Sequence, residues 1–117
     1  MKIIIKATQI ELTPPIYEYI EEKFGSLNSF VKKFEINSEV KMEVEIGKPS
    51  RHHRRGNVFY AEANLYLPGK VLRAEHFDWD IRVAIDNVKD KLRQEVKKYK
   101  SKQEVSRRKG AGMRGKE

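Results

Sequence analysis

The stretch FYAEANLYLPGKVLRAEH, residues 59–76, has the clearest pattern in the chain and predicts a β-hairpin. From Phe59 to Leu67 apolar residues occupy every second position, which is typical of a strand with one buried face. Pro68 and Gly69 follow directly and suit the central positions of a type II turn, because proline fixes a negative φ and glycine tolerates a positive one. Residues 71–76 then return as the partner strand.

Two more strands and a helix are predicted before this hairpin. Alternation from Val40 to Ile46 indicates a half-buried strand, and Lys2–Ala7 is a β-branched run. Because consecutive isoleucines leave that run without a polar face, we expect it to be a central strand. Thr13 and Pro14 suit a helix start, with threonine as the N-cap and proline in the first turn. The apolar stripe of this first helix is Ile16, Ile20, Phe24 and Leu27.

A second, longer helix is predicted after the hairpin. Asp80 precedes it as the N-cap, with Asp78 as the other possibility, and the apolar period stops after Lys102. The order β-α-β-β-β-α predicts an α+β sandwich, a four-stranded sheet with two helices packed on one face. We expect residues 1–102 to form this domain and residues 103–117 to be a basic, disordered tail. The stripe of the second helix is Ile81, Ala84, Ile85, Val88, Leu92, Val96 and Tyr99.

The whole net charge lies in the last quarter of the chain. Residues 1–88 hold 13 Lys and Arg against 13 Asp and Glu, whereas residues 89–117 hold 12 against 4, which is the full +8. Such a local positive field attracts polyanions, with RNA as the leading candidate and an anionic membrane or an acidic protein as alternatives. Without cysteine the chain has no disulfide, no thiolate zinc site and no cysteine nucleophile, and no run is apolar enough for a signal peptide or a membrane span.

The second helix carries its cations in two rows. At about 100° per residue each row keeps to one side of the helix, and we expect the second row to lie opposite the stripe. The alternative interpretation is an ordinary solvent-exposed helix surface, but the acidic residues of this helix are too few to pair with every cation. We define the first row as Arg82, Lys89, Arg93, Lys97 and Lys100, and the second row as Lys91, Lys98 and Lys102.

Other motifs are weaker. Arg51, Arg54 and Arg55 lie in a predicted loop that either contacts RNA or is an ordinary exposed connection. His52 and His53 beside them do not suffice for a metal site, so none is predicted. No Ser/His/Asp grouping suggests catalysis. Four aromatic residues could stack on bases if exposed, but positions at strand and helix boundaries favour the core or its rim: Tyr60, Tyr66, Phe77 and Trp79.

Several stretches together resemble the ribosome hibernation promoting factor family, also called ribosomal subunit interface proteins. They are Leu12–Ile16, Ala61–Leu65, Leu67–Gly69, Ala84–Asp86 with Asp90–Leu92, and Lys97–Lys100, in this order and at this spacing over residues 1 to 102. The resemblance implies the same β-α-β-β-β-α fold. It also implies a non-catalytic protein that binds the small ribosomal subunit in the mRNA channel and the A and P sites, stops translation and stores ribosomes.

The resemblance implies further expectations. Lys23, Lys91, Lys98, Lys100 and Lys102 match the family's basic positions, whereas Arg82 stands where relatives usually have tyrosine. The implied partners are the small subunit and its ribosomal RNA, in the cytoplasm, with no cofactor, no membrane and no DNA, and the protein is expected to be a monomer off the ribosome. The rival functions are a double-stranded-RNA-binding module not tied to the ribosome and a small enzyme of the same fold class.

Overall fold

A computed structural model describes the fold of residues 1–36, 39–49 and 58–116, with side chains described as far as residue 104. Within these residues four strands and three α-helices follow one another, with one turn of 3-10 helix after the second helix. The elements are β1 (Lys2–Thr8), α1 (Pro14–Gly25), α2 (Asn28–Val31), the 3-10 turn (Lys32–Glu35), β2 (Lys41–Gly47), β3 (Phe59–Leu67), β4 (Lys70–Asp78) and α3 (Ile81–Lys116).

The strands form one mixed sheet in the order β1-β2-β3-β4. Strand β1 pairs parallel to β2, and β2, β3 and β4 pair antiparallel. The predicted hairpin is confirmed, because Leu67 pairs with Lys70 across the two-residue turn and Gly69 has a φ of 73°. A positive φ at the second central position is what a type II turn requires.

One face of the sheet carries the core. Residues of alternating register, such as Met42, Val44, Ala63 and Leu72, point to this face and are buried. The apolar residues of α1 and α3 belong to the same core cluster, so the predicted arrangement with both long helices on one face is confirmed. We call the opposite face of the sheet the outer face.

The prediction that β1 is a central strand is wrong. It lies at one edge of the sheet and, among the described strands, pairs with β2 alone. Ile3 and Ile5 pack against the core, whereas Ile4 is 42% exposed on the outer face. Lys2 and Lys6 share that outer face, and charged residues of this kind protect an edge strand from pairing with another chain. Ile4 therefore reflects the high β propensity of isoleucine and does not indicate that both faces of β1 are buried.

The ends of the helices agree only partly with the predictions. Thr13 stands at the N-cap of α1 with extended backbone, but its side chain makes no capping hydrogen bond. At α3 the predicted cap is confirmed, because the Arg82 N–H donates to Asp80 Oδ1 at 2.9 Å. The Asp80 N–H donates in turn to Asp78 Oδ1 at 3.0 Å, so both candidate aspartates take part in the start of this helix.

The C-terminal end of α3 differs from the predicted boundary. The helix continues to Lys116, beyond the boundary at residue 102 and through residues for which we predicted no regular structure. Among the side chains described, as far as residue 104, the last buried one on α3 is Tyr99, so the apolar period marks the end of this buried stripe and not the end of the helix. Residues 103–109 contain good helix formers and no proline, which allows the hydrogen-bonding pattern to continue.

Removal of residues 103–117 should leave the melting temperature within about 2 °C of the full chain, because the apolar stripe of α3 ends at Tyr99 and the side chains of residues 101–104 are exposed. Affinity for RNA should fall, because the deletion removes five cations and only two anions. A thermal melt and an RNA-binding assay measure the two effects.

A longer deletion provides the control. Removal from Tyr99 onward also removes a ring that lies 5.1 Å from that of Phe34 and a hydroxyl that donates to the Pro68 carbonyl at 2.7 Å. This second deletion should lower the melting temperature clearly. If the shorter deletion has the same effect, residues 103–117 contribute to the packed fold.

Candidate nucleic-acid interface

Helix α3 presents cations on both sides of its buried stripe. The stripe, including Ile85, Val88 and Leu92, is buried against the sheet, apart from Ile81, which is half-buried. The first row lies on the side that faces α1 and α2, and the second row lies on the side that faces β4. The cations of α3 therefore flank the buried stripe on two sides.

The ring of Tyr19 on α1 lies between two cations. The Lys23 Nζ is 5.3 Å and the Arg82 guanidinium carbon 5.5 Å from the ring centroid. The Tyr19 hydroxyl donates to Asp86 Oδ1 at 2.6 Å, which fixes the ring against α3. Burial, followed by the hydrogen bond to Asp86, raises the pKa of Tyr19 to about 12, so the hydroxyl stays protonated at physiological pH. Tyr19 thus brings Lys23, from another helix, next to the first row.

Replacement of Tyr19 should separate its two roles. Tyr19→Phe keeps the ring and removes the donor to Asp86, whereas Tyr19→Leu removes both. Cation–π contacts at exposed sites contribute about 0.5–1 kcal/mol each, so loss of both contacts in Tyr19→Leu should lower RNA affinity roughly 5- to 30-fold, and Tyr19→Phe should lower it less. Binding titrations of both variants test this. Equal losses in the two variants would show that the hydroxyl, and not the ring, orders the cations.

A second ring supports the middle of the first row. The Arg93 guanidinium carbon lies 5.6 Å and the Lys100 Nζ 5.4 Å from the centroid of Phe30, which follows the start of α2. Burial, and then the nearby charge of Lys33, lowers the pKa of Lys100. The charge of Lys33 contributes to that shift, so an anion between the two lysines would relieve their repulsion.

The remaining members of the first row differ in their surroundings. Lys89 Nζ lies 3.3 Å from Asp90 Oδ1, and only 23% of its side chain is exposed. Lys97 is exposed and shares a shallow depression with Asp90, Arg93 and Gln94. Lys97 and Arg93 are therefore open to a large ligand, as is the exposed Arg82.

The second row does not lie opposite the stripe as predicted. Lys91 Nζ donates to the carbonyl of Glu75 at 2.8 Å and lies 3.3 Å from His76 Nδ1, so this side chain reaches along β4. Residues 91, 98 and 102 are about a quarter-turn from the stripe when counted at 100° per residue, which places them beside the sheet. The second row therefore flanks the stripe and does not lie on the opposite side of the helix.

The other two lysines of the second row lie near the hairpin turn. Lys98 Nζ is 3.5 Å from Glu95 Oε1; the lysine side chain is largely exposed and that of Glu95 is half-buried. Lys98 and Lys102 line a depression of about 240 Å³ together with Gly69 and Lys70. The fold thus adds Lys70, which the sequence pattern did not single out, to this row.

The structure also brings Lys32 and Lys33 next to the first row and so adds them to the candidate interface. Both lie in the 3-10 turn and line an open groove of about 740 Å³ with Lys100. They are far from α3 in the sequence, and their only signal there is that two lysines stand side by side. A pattern within one helix could not have placed them beside Lys100.

Some predicted residues lie outside the described part of the chain. These are Arg51, Arg54 and Arg55, together with His52 and His53. Within residues 1–36, 39–49 and 58–104 no group of three or more histidine or acidic side chains could hold a metal ion. No α-helix among the described residues has a stretch both long and apolar enough to cross a bilayer.

The prediction that the boundary aromatics belong to the core or its rim is wrong for two of them. Trp79 is 67% and Phe77 51% exposed. Tyr60 and Tyr66 are half-buried. The pattern misled because Phe77 lies on the outer face of a strand at the edge of the sheet, and Trp79 follows the end of that strand.

Comparison with known proteins identifies a family and several relatives to which the chain is similar. The model of the family described as Sigma 54 modulation protein / S30EA ribosomal protein matches residues 3–104. A ribosome hibernation promoting factor of Pseudomonas putida is 34% identical over 106 residues, which cover 89% of this chain and 91% of that protein. A ribosome hibernation promotion factor of Deinococcus radiodurans is 27% identical, and the match covers 91% of this chain but 52% of that protein.

Among solved structures, the N-terminal domain of Protein Y from Thermus thermophilus superposes with a TM-score of 0.67 at 28% identity, covering 85% of this chain and 99% of that chain. The chain therefore spans a complete domain of that structure. It spans only about half the length of some curated relatives that it matches.

Proposed function

The chain belongs to the Sigma 54 modulation protein / S30EA ribosomal protein family, and on that premise we propose that it is a ribosome hibernation factor. In this proposal it binds the small ribosomal subunit through α3 and the facing side of α1 and α2, in the channel used by mRNA and by A- and P-site tRNA. Translation stops and the ribosome is stored in an inactive state. Two relatives that the chain matches are named as hibernation factors, which supports the proposal.

The observation that carries the proposal is the arrangement of cations along α3. From Arg82 to Lys102 the helix extends about 30 Å at 1.5 Å per residue, enough to contact several successive phosphates. The rings of Tyr19 and Phe30 hold four cations in place, which lowers the conformational entropy that is lost when RNA binds. These cations are Lys23, Arg82, Arg93 and Lys100. The residues proposed for RNA contact are both rows, Lys23, and Arg51, Arg54 and Arg55.

We infer that inhibition works by occupancy and not by catalysis. A protein that fills the channel excludes mRNA and tRNA without bond chemistry, and it needs no cofactor. Its place of action is that of the ribosome, the cytoplasm. Off the ribosome we expect a monomer, which sedimentation equilibrium of the purified protein measures.

Sedimentation with purified small subunits tests the proposal. The protein should migrate with the subunit on a sucrose gradient, and added P-site tRNA should displace it. It should also lower the yield of a cell-free translation extract. Binding to duplex RNA of arbitrary sequence with equal affinity, without competition by tRNA, would instead indicate a double-stranded-RNA-binding module.

A matched control excludes a general effect of charge. Lys2→Glu with Lys6→Glu makes the same change in net charge as a double reversal on α3, but both residues are exposed on β1, on the outer face. This variant should still sediment with the subunit. If the control loses binding as strongly as an α3 variant, the proposed orientation on the ribosome is wrong.

A further inference from the structure

Two aromatic residues lie side by side on the outer face where β3 begins and β4 ends, and a third follows directly after β4 in the chain. Tyr60 and Phe77 are direct cross-strand partners, and their ring centroids are 6.2 Å apart. Trp79 follows β4 and is the chain's single tryptophan. We call Tyr60, Phe77 and Trp79 the aromatic patch. Trp79 and Phe77 are among the most exposed large apolar side chains of the described residues, although the RNA interface lies on the other side of the sheet.

The base of the patch is held rigidly. The Tyr60 hydroxyl donates to Glu45 Oε2, which also accepts from Thr8 Oγ1 at 3.1 Å. The hydrogen bond from Tyr60 lowers the pKa of Glu45, so the carboxylate is ionised at neutral pH. Gly47 leaves room for the tyrosine, because a Cβ at that position would lie 3.0 Å from the Tyr60 hydroxyl oxygen. A ligand would therefore meet a ring that is already in place.

Acidic residues lie near the patch. Asp78 and Asp80 flank Trp79 in the chain, and each also accepts a backbone hydrogen bond at the start of α3. Glu75 precedes Phe77 on the same face, and it pairs across the strands with Glu62. Arg73 lies 3.3 Å from Glu62 and 3.9 Å from Glu75, and it balances only part of this negative charge. Phosphates are repelled by such a rim, whereas arginine and lysine side chains are attracted to it.

The rings themselves favour the same ligand. On the helix side of the molecule, the rings of Tyr19 and Phe30 each have two cations over them. Among the described residues no cation lies over Phe77 or Trp79. Tryptophan is the best partner for a cation over an aromatic face, and nearby carboxylates strengthen the attraction.

We propose that the aromatic patch docks an arginine- or lysine-rich segment of another protein, with a cationic side chain over Trp79 or Phe77 and its neighbours paired with the acidic rim. This surface lies apart from the first row of α3, whereas Lys91 of the second row donates to the Glu75 carbonyl at its edge. The chain then contacts RNA with its helices and a basic protein segment with the end of its sheet, so both can bind at once. The inference does not depend on ribosome binding and is tested without ribosomes.

A short fluorescein-labelled peptide of alternating arginine and serine is the probe, and nuclease-treated full-length protein is the target. Binding should raise the anisotropy of the peptide and change the emission of Trp79. Trp79→Ser with Phe77→Ser should lower the affinity about tenfold or more, since cation–π contacts at partly desolvated sites contribute about 1–2 kcal/mol. A second variant, Glu75→Gln with Asp78→Asn, keeps the rings and should weaken binding several-fold at low salt.

Val71→Ser with Ile4→Ser is the matched control, because both residues are exposed and apolar on the outer face but outside the patch. It should bind the peptide like the parent chain, and thermal melts should show that every variant is folded. Failure of the peptide to bind the parent chain overturns the proposal. The proposal is also overturned if a single-stranded RNA binds the protein and the Trp79→Ser substitution abolishes that binding. Peptide binding that is detected only after Arg51, Arg54 and Arg55 are changed to serine also overturns the proposal. In that case the basic segment that binds the patch would belong to this chain and not to another protein.

Discussion

Arg93→Glu together with Lys97→Glu should weaken binding to the small ribosomal subunit by about a hundredfold or more. Both residues are exposed on the first row, and they line the same depression on α3. A hydrogen bond to a charged group contributes about 1.5–3 kcal/mol, and a change of 1.4 kcal/mol is tenfold in affinity, so two lost contacts give this magnitude before any repulsion is added. Subunit pelleting over a range of protein concentrations measures the loss, and inhibition of a translation extract should fall with it.

Stability should change little in this variant, because surface substitutions usually alter the free energy of unfolding by about 0.5 kcal/mol or less. The Lys2→Glu, Lys6→Glu chain, which has the same net charge, should bind like the parent. The result that contradicts the prediction is a folded Arg93→Glu, Lys97→Glu protein that still inhibits at the parental concentration. In that case the second row, or Arg51, Arg54 and Arg55, would be the better candidates for the contact.

The affinity for ribosomes should depend steeply on salt. Twelve cations lie beyond residue 88, and if about six of them contact phosphates, the slope of log K against log salt is roughly −4 with the coefficient for single strands. Between about 50 mM and about 200 mM salt the affinity should then fall roughly 300-fold. Binding measured at several salt concentrations, with magnesium held constant, gives the slope.

The Arg93→Glu, Lys97→Glu variant provides an internal check on this number. Loss of two phosphate contacts should make its slope shallower by roughly 1.4. A parental slope shallower than about −1 would contradict the electrostatic account as a whole, because at most one or two released counterions are compatible with it.

Elements with a strong local pattern were predicted well. The hairpin around Pro68 and Gly69 and the buried stripe of α3 were both recovered, because alternation with period 2 and with period 3.6 reports directly which side of an element is buried. The position of β1 at an edge was not predicted. Strand order depends on pairing between distant segments, and Lys2–Thr8 contains no local signal for which neighbour it takes.

The candidate interface was predicted in one part and missed in another. The angular positions of the two rows follow from the helical repeat, so their members could be identified from the sequence. The rings of Tyr19 and Phe30 beneath the cations, and the approach of Lys33 to Lys100, arise from contacts between helices. Such contacts depend on how α1 and α2 pack against α3, which no pattern within one element records.

The parallel pairing of β1 with β2 affects the order of events in folding. The partners Ile3 and Met42 are 39 positions apart, with α1 and α2 between them, whereas Ala63 and Ala74 in the hairpin are separated by 11 positions. Closing the longer loop costs more chain entropy, so we expect β3, β4 and α3 to assemble early and β1 to join late. During synthesis β1 leaves the ribosome first and must wait for its partner strand. In native-state hydrogen exchange the amides of β1 should therefore be the least protected in the sheet.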